Sequence, residues 1–289
     1  MQYAFCRQMT KDGKQEITLA TIECDRALHS PITDRTHRSA AEQQVRQDLA
    51  AAYRLVAQFS MDDSIYTHIS ARVPGTQDQF LINPYGMLFR DITASSLVKI
   101  DLEGNLVEPS DFEVNPAGFT IHSAVHAARH DAICVVHTHT VAGVAVSSLA
   151  GGLEPCNQWA LQFHNRVSYH DFEGIALNLD ERERLVLDLG PTSRALILRN
   201  HGLVTLGRSV PEAFILMHNL ERACRVQVAI QGTGRPVCPV PEEVRELTAR
   251  QYEGGNSKRA ASIAAEIDAR EWRAMLQRLT PPSNTSFRD

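Results

Sequence analysis

The first strong hydrophobic pattern along the chain is helical. The segment Ser39-Ala40-Ala41-Glu42 has the form of a capping box, in which Ser and Glu side chains satisfy free amides at the start of a helix. Apolar residues then recur at helical spacing: Val45, Leu49, Tyr53, Val56 and Phe59. This spacing predicts an amphipathic helix from the cap to about Phe59, with its apolar face on a sheet.

Short β-like runs follow this helix. Four of them are present, at residues 67–73, 80–83, 97–100 and 106–107. The last two are typical of a hairpin around Glu103-Gly104-Asn105. After the second run, Asn83-Pro84-Tyr85-Gly86 contains the Pro and Gly that restrict a turn.

Helical and strand patterns then alternate. Asn115 and Pro116 read as the N-cap and first residue of a helix that ends near Arg129. Continuous apolar runs at 132–136, 194–198 and 203–206 are typical of buried strands, and a long helix is predicted at 211–231. Because the spacing is not that of regular βαβ units, we predict an α/β protein with a mostly antiparallel central sheet covered by helices.

The pattern also divides the chain into three parts. Residues 1–38 are polar and mixed, which predicts a flexible N-terminal extension. The main domain spans 39–235 and ends at the boundary signal Thr233-Gly234-Arg235-Pro236. Two helical patterns, at about 241–252 and 257–279, predict a helical appendage over residues 236–289.

Composition narrows the class of protein. The net charge of -5 and pI near 6.2 provide no basic surface for nucleic acid. The sequence contains no run of about 20 apolar residues and no leader pattern, so we expect a cytoplasmic protein with no membrane partner. Six cysteines without a Cys-x-x-Cys pair are typical of inert packing residues in a reducing compartment.

Three histidines form the strongest chemical pattern. His137 and His139 follow the apolar run at 132–136, and side chains two apart on a strand share a face. His201 follows the run at 194–198, where Gly202 permits a sharp turn that aims it inward. Three neutral imidazoles suit Zn, Fe, Co or Ni and leave coordination positions open, as in catalytic sites. Spacing alone equally allows a half-exposed strand and a turn histidine without a metal.

The chain resembles the class II aldolase/adducin family over residues 44–231. The resemblance rests on Thr67-His68-Ile69-Ser70, Asn83-Pro84-Tyr85-Gly86, His137-Thr138-His139 and Asn200-His201-Gly202. It implies a three-layer αβα fold, a homotetramer with sites near subunit interfaces, and a divalent metal on these histidines. Zn is the first expectation, with Fe, Mn or Co as alternatives. In aldolase members the metal acts as a Lewis acid in retro-aldol cleavage of a ketose phosphate.

The sequence departs from that family at two places. Aldolases place an acid/base glutamate four residues before a helix histidine, and with His122 as that histidine the matching residue is Gly118. Thr67-His68 stands where those enzymes carry Gly-Asn, and Pro116-Ala117 where hydroxyl residues bind phosphate. Of that set Ser70 and Gly86 persist as candidate substrate-binding residues. We therefore expect metal-assisted chemistry on a carbonyl compound rather than the usual sugar-phosphate reaction.

Few residues are candidates for the missing proton carrier. His122 lies one turn from position 118 and shares its helix face. Tyr169 and His170, in the polar segment 163–171, are further catalytic candidates, and Gln158 is a candidate substrate-binding residue. For each of them, packing or solvation without a catalytic role is the competing interpretation.

Three functions are consistent with these sequence features. The first is a metal-dependent lyase of the class II aldolase type that acts on a small carbonyl-containing molecule, atypical because of Gly118. The second is a non-haem iron oxygenase or decarboxylase, which needs no acid at that position. The third is an adducin-like scaffold without catalysis, for which metal-binding histidines serve no purpose.

Overall fold

The structure is a computed structural model, and it describes residues 8–9, 15–16, 38–174, 180–255, 269–279 and 286–289. The chain forms two units, Met1–His37 and Arg38–Asp289. In the first, strands β1 (Gln8–Met9) and β2 (Gln15–Glu16) pair antiparallel. The rest of the predicted flexible extension, up to residue 37, lies outside the described residues. The second unit carries the main sheet.

Seven strands form the main sheet, in the order β5-β4-β3-β6-β9-β8-β7. Their bounds are β3 His68–Arg72, β4 Gln79–Ile82, β5 Val98–Asp101, β6 Cys134–Thr138, β7 Val167–His170, β8 Ala195–Leu198 and β9 Gly202–Gly207. Neighbouring strands are antiparallel except β7 and β8, which are parallel. The predicted α/β class with a mostly antiparallel sheet is confirmed.

Helices cover both faces of the sheet. They are α1 Ala40–Gln58, α2 Pro116–Ala128, α3 Val141–Ser147, α4 Gln158–Leu161, α5 Glu181–Leu189, α6 Val210–Gln231 and α7 Glu242–Tyr252. The Ser39 side chain accepts a hydrogen bond from the Glu42 amide at the start of α1, as the capping pattern predicts.

Alternation along β6 separates the two cores. Cys134 and Val136 belong to the core that includes residues of α1 and α6, whereas Val135 belongs to the core with α2 and α5. These two cores make the three-layer αβα arrangement. Since His137 is two residues from Val135, its side chain leaves the sheet on the α2 side.

One predicted loop contains a strand, and two segments without a predicted element form helices. Residues 167–170, within the predicted polar loop 163–171, form the edge strand β7, and 141–147 and 181–189 form α3 and α5. The edge position explains the error for β7, because an edge strand pairs on one side and keeps half-buried polar side chains. Thr140 starts α3 by accepting a hydrogen bond from the Gly143 amide, which is a capping interaction typical of threonine.

The C-terminal segments belong to the second unit and contact the rest of it through polar and aromatic side chains. Arg166 forms ion pairs with Glu246 and Glu253 at α7. Of the helix predicted at 257–279, residues 257–268 lie outside the described residues and 269–276 are helical. Trp272 in that segment packs edge-on against Phe214. Among the described residues, none of the helices has the length and apolar character needed to span a membrane.

Candidate metal centre

Three strands deliver the three candidate ligands to one point. His137 is in β6, His139 follows the end of that strand, and His201 lies in the tight turn between β8 and β9. Their ligand nitrogens all lie within 4.8 Å of one another. The structure therefore brings together the three residues that the sequence proposes as metal ligands.

The turn that presents His201 depends on both of its neighbours. Asn200 has a left-handed φ of 56°, which short polar side chains tolerate. Gly202 is needed for close packing, because a Cβ there would lie 2.4 Å from the Thr138 carbonyl oxygen. The left-handed residue is thus Asn200, whereas Gly202 lets β9 approach β6.

Acceptor groups orient two of the imidazoles. His137 Nδ1 lies 3.0 Å from the Leu203 carbonyl oxygen, and His139 Nδ1 lies 3.0 Å from Asp63 Oδ2. Both oxygens accept hydrogen bonds, so both rings donate through Nδ1–H. In the neutral rings the Nε2 atoms then carry lone pairs that face inward.

This orientation provides a test of whether a cation fits the centre. His137 Nε2 and His139 Nε2 are 2.9 Å apart. With both Nδ1 atoms protonated, neither Nε2 of a neutral pair has a proton to share with the other. Two facing lone pairs repel, and a cation bound by both relieves that repulsion. The donor set therefore fits a divalent metal.

Burial keeps two of the candidate ligands, His137 and His201, in the neutral form that can bind metal. Desolvation lowers the pKa of His137 well below 6.5, and the charges of His139 and His201 lower it further. Desolvation likewise lowers the pKa of His201 to about 4, with a further contribution from His139. Because these rings are neutral at pH 7, their lone pairs are available without loss of a proton.

The centre is closed on one side and open on the other. His137 is buried, whereas His139 and His201 are partly exposed. Phe172 lies edge-on to His201, with ring centroids 6.4 Å apart. A small molecule can therefore approach from the side of His139 and His201.

Two further histidines line the α2 side of the centre. His68 of β3 pairs in register with His137, and their rings stack with centroids 6.1 Å apart. The His122 ring is edge-on to His68 at 5.7 Å. His122, a catalytic candidate from the sequence, is thus separated from His137 by His68.

The hydroxyl of Ser70 is engaged within the protein. Its Oγ lies 2.5 Å from His122 Nδ1 and 2.7 Å from His126 Nε2, and all three side chains are buried. His126 Nδ1 in turn faces the Ala132 carbonyl oxygen at 3.2 Å. This buried network holds the ring of His122 in place, which leaves its Nε2 without a partner.

Tyr169 and His170 occupy the last two positions of β7. The Tyr169 hydroxyl accepts a hydrogen bond from the Leu153 amide, and the Arg199 guanidinium stacks on its ring. His170 is buried and its Nδ1 lies 2.7 Å from Asp188 Oδ2. Since the Arg199 amide donates to the His170 carbonyl, β7 ends beside the turn that carries His201.

The remaining candidates lie in exposed positions. Gly86 is exposed, with a φ of 92° that suits glycine. Gln158 starts α4, is exposed, and donates a hydrogen bond to the Tyr252 hydroxyl of α7. It lines a cavity of about 530 Å³ between these two helices.

Two residues of this centre were absent from our sequence candidates. Asp63 comes from the loop between α1 and β3, and its contact with His139 depends on the fold of that loop. His68 could have been suggested by its position two residues before Ser70, because the two then share a strand face. Its neighbourhood to His137 depends on strand register, which the pattern does not determine.

Comparison with known proteins finds a matching family model and related sequences. A family model described as the class II aldolase and adducin N-terminal domain matches residues 47–228. A Pseudomonas aeruginosa protein, named as a candidate aldolase class 2 protein, is 49% identical over 88% of this chain and 96% of its own length.

Two further relatives carry more specific names. The solved structure of L-fuculose 1-phosphate aldolase from Glaciozyma antarctica has a TM-score of 0.72 and 28% identity, covering 86% of this chain and 94% of that one. Alpha-adducin from Rattus norvegicus is 48% identical over 68% of this chain, which corresponds to 27% of the adducin.

Proposed function

The chain belongs to the class II aldolase and adducin family, and on this premise we propose that it is a metal-dependent lyase. Membership supports lyase-type chemistry in general. The finer proposal is cleavage or formation of a carbon–carbon bond beside the carbonyl group of a small molecule. The observation that carries it is the pair of inward-facing Nε2 atoms on His137 and His139, 2.9 Å apart, with His201 beside them.

Side chains and a backbone carbonyl of the protein would hold the metal and orient its ligands. His137, His139 and His201 would hold the ion, and the Leu203 carbonyl and Asp63 carboxylate fix two of the rings. When bound, a divalent ion supplies Lewis-acid stabilisation of the negative charge that develops on a carbonyl oxygen. Zn is the metal we propose first, with Fe, Mn or Co as alternatives.

The substrate is proposed to enter from the open side of the centre and to contact His68 and His122 on the α2 side. His122, Tyr169 and His170 remain candidates for proton transfer, and Ser70, Gly86 and Gln158 for substrate binding. His122 and His170 each keep a buried Nε2 without a hydrogen-bond partner, whereas the Tyr169 hydroxyl accepts a hydrogen bond from the Leu153 amide. The His170 Nε2 lies 3.5 Å from Glu181 Oε1, whereas the His122 ring lies edge-on to the ring of His68 instead. By the same family resemblance we propose a cytoplasmic homotetramer.

Metal content tests the proposal directly. Protein purified without a metal-affinity tag is measured by inductively coupled plasma mass spectrometry, before and after dialysis against a chelator. We expect about one Zn or Mn per chain, since three imidazoles make one site. The loaded, stripped and reloaded proteins are then assayed for cleavage of hydroxy ketones and keto acids. Activity should disappear on stripping and return with the metal.

Each other metal result has a different meaning. Iron, with activity that disappears under strict anaerobiosis, would replace the lyase with the oxygenase or decarboxylase. No metal in the native protein, together with unchanged stability after chelator treatment, would contradict both enzymatic functions.

A second candidate function is an adducin-like scaffold. It is favoured by the 48% identity to alpha-adducin. The matched region makes up 27% of the length of that adducin. A scaffold uses the fold for self-association or protein binding and gives no carbonyl turnover with any metal. Self-association that persists in the stripped protein, without lyase activity in the loaded protein, would favour it.

Asp63→Asn should weaken metal binding without removing a ligand. The amide can present its NH2 or its oxygen to His139 Nδ1, but it removes the carboxylate charge that orients and polarises the ring. We expect a 10- to 100-fold loss of metal affinity, roughly the usual effect of losing such a partner. Competition with a chromophoric chelator measures it.

Asp62→Asn is the matched control, since among the described residues the carboxylate that contacts His139 belongs to Asp63. Its affinity should equal that of the wild type. Equal affinities for all three proteins would show that Asp63 does not orient His139.

A further inference from the structure

Four buried polar atoms without hydrogen-bond partners gather at the end of β3. They are Thr67 Oγ1, both ring nitrogens of His68, and His122 Nε2. His68 is 4% exposed, Thr67 is 1% exposed and His122 is 0% exposed. Buried donors and acceptors are almost always paired, so a group of orphans in one place indicates that something outside the chain pairs with them.

The backbone at this place is strained. Thr67 has a φ of 65°, in the left-handed region that β-branched residues rarely adopt. Its hydroxyl is buried but unpaired, so no hydrogen bond from that hydroxyl offsets the strain. Strain of this kind persists at sites where the conformation serves binding or catalysis.

The His68 ring lies where a side chain at position 118 would begin. A Cβ on Gly118 would lie 2.4 Å from His68 Cδ2 and 2.6 Å from both Cγ and Nε2. No real Cβ makes such a contact, so the imidazole and any residue larger than glycine exclude one another at 118. The glycine that stands in place of the family's glutamate is therefore coupled to the histidine at 68.

Among the described residues, the side chains whose charge acts on His68 include no lysine or arginine. The side chains that act electrostatically on His68 are three other imidazoles, those of His122, His139 and His201. Arg72, the cation of β3, donates instead to the carbonyl oxygens of Gln77 and His126. A phosphate or carboxylate buried here would lack a cationic partner among these described groups, whereas hydroxyl and carbonyl oxygens match neutral imidazoles.

We propose that His68 is a substrate-contacting residue that occupies the space above Gly118. With Thr67 Oγ1 and His122 Nε2, it binds uncharged hydroxyl or carbonyl oxygens of a hydroxylated, non-phosphorylated compound. This inference rests on the proposed function, because the substrate would lie between this group and the metal. We refer to Thr67, His68 and His122 together as the polar wall.

A stability cycle in metal-free protein tests the coupling of His68 to Gly118. Gly118→Ala should lower Tm by several degrees in the wild type and by much less in His68→Ala, because the ring that meets the new Cβ is then gone. Gly151→Ala is the control, since a Cβ at 151 meets no atom within 4 Å. Equal effects of Gly118→Ala in both backgrounds would overturn the steric part.

Ligand binding to the Zn-loaded protein tests the chemical part. Dihydroxyacetone and hydroxyacetone serve as uncharged probes in ligand-observed NMR titrations, with inorganic phosphate as competitor. We expect His68→Ala to weaken binding of the uncharged probes at least tenfold, and His68→Gln, which keeps a donor and an acceptor, to recover part of it. Phosphate should not displace them.

The outcomes separate this inference from the function on which it rests. His68→Ala should retain the wild-type metal content, because His68 lies outside the cluster of three ligands. Displacement by phosphate, unchanged probe binding in His68→Ala, or no binding of either probe to metal-loaded wild type would overturn the polar wall. A wild type that binds no metal would instead overturn the proposed function and leave the stability cycle to decide the packing of His68 on Gly118.

Discussion

His139→Ala is expected to abolish stoichiometric metal binding and to lower lyase kcat/KM about a thousand-fold. The ligand lost is one of two whose Nε2 atoms face each other at 2.9 Å, so its removal leaves two nitrogens and an open, solvated side. Metal stabilisation of a developing oxyanion contributes several kcal/mol, and about 4 kcal/mol corresponds to roughly a thousand-fold in rate. Mass spectrometry of the metal and a coupled aldehyde assay measure both effects.

His130→Ala is the matched control for this variant. His130 is an exposed histidine outside the metal cluster, so it changes the histidine count without touching the site. It should retain metal and activity. Since His139 is partly exposed and lies after the end of β6, its replacement should cost little folding stability. Full metal content in His139→Ala, or equal loss in His130→Ala, would contradict the assignment of His139 as a ligand.

The three candidate ligands could be proposed from the sequence because they follow apolar strands. His137 and His139 are supplied by one local segment, and the buried runs before them and before His201 mark strand ends. The sheet topology brings these strand ends together, since β6 and β8 both neighbour β9 in the sheet. Adjacent strand ends place side chains that are 62 positions apart in sequence at one edge.

The positions of His68 and Gly118 beside the candidate ligands could not be predicted in the same way. That His68 lies opposite His137 depends on the register of β3 against β6, and a shift of one residue would turn His68 to the other face. The role of Gly118 is likewise invisible in the pattern, because its contact partner comes from a strand 50 residues earlier. The absent glutamate could be read from the sequence, but the imidazole that occupies its space could not.

The same limit explains the error at β7. Its residues Val167, Ser168, Tyr169 and His170 are mostly half-buried and carry polar groups, so no apolar run marks them as a strand. Pairing with β8 in parallel decides their conformation. Two catalytic candidates, Tyr169 and His170, are therefore held by a strand at the sheet edge rather than by a loop, which restricts their motion toward a substrate.

Acidification of metal-free protein is expected to destabilise the fold steeply below pH 6.5. Burial lowers the pKa of His122 to about 3, and burial followed by the charge of Arg72 lowers the pKa of His126 to about 3. In the unfolded chain both return to about 6.5. The unfolded state therefore binds more protons between pH 6.5 and pH 3, and stability that is present above 6.5 is lost as the pH falls.

The magnitude follows from the two protons. Well below pH 6.5 each fully depressed histidine contributes a slope that approaches about 1.4 kcal/mol per pH unit. Because the unfolded histidines are only half protonated at pH 6.5, the pair should lower the free energy of unfolding by about 3 kcal/mol between pH 6.5 and 5. Urea unfolding at several pH values measures the slope. In His126→Gln, which keeps a polar side chain beside Ser70, the slope should fall by about one proton. Parallel slopes for wild type and His126→Gln would show that His126 is protonated alike in the folded and unfolded states.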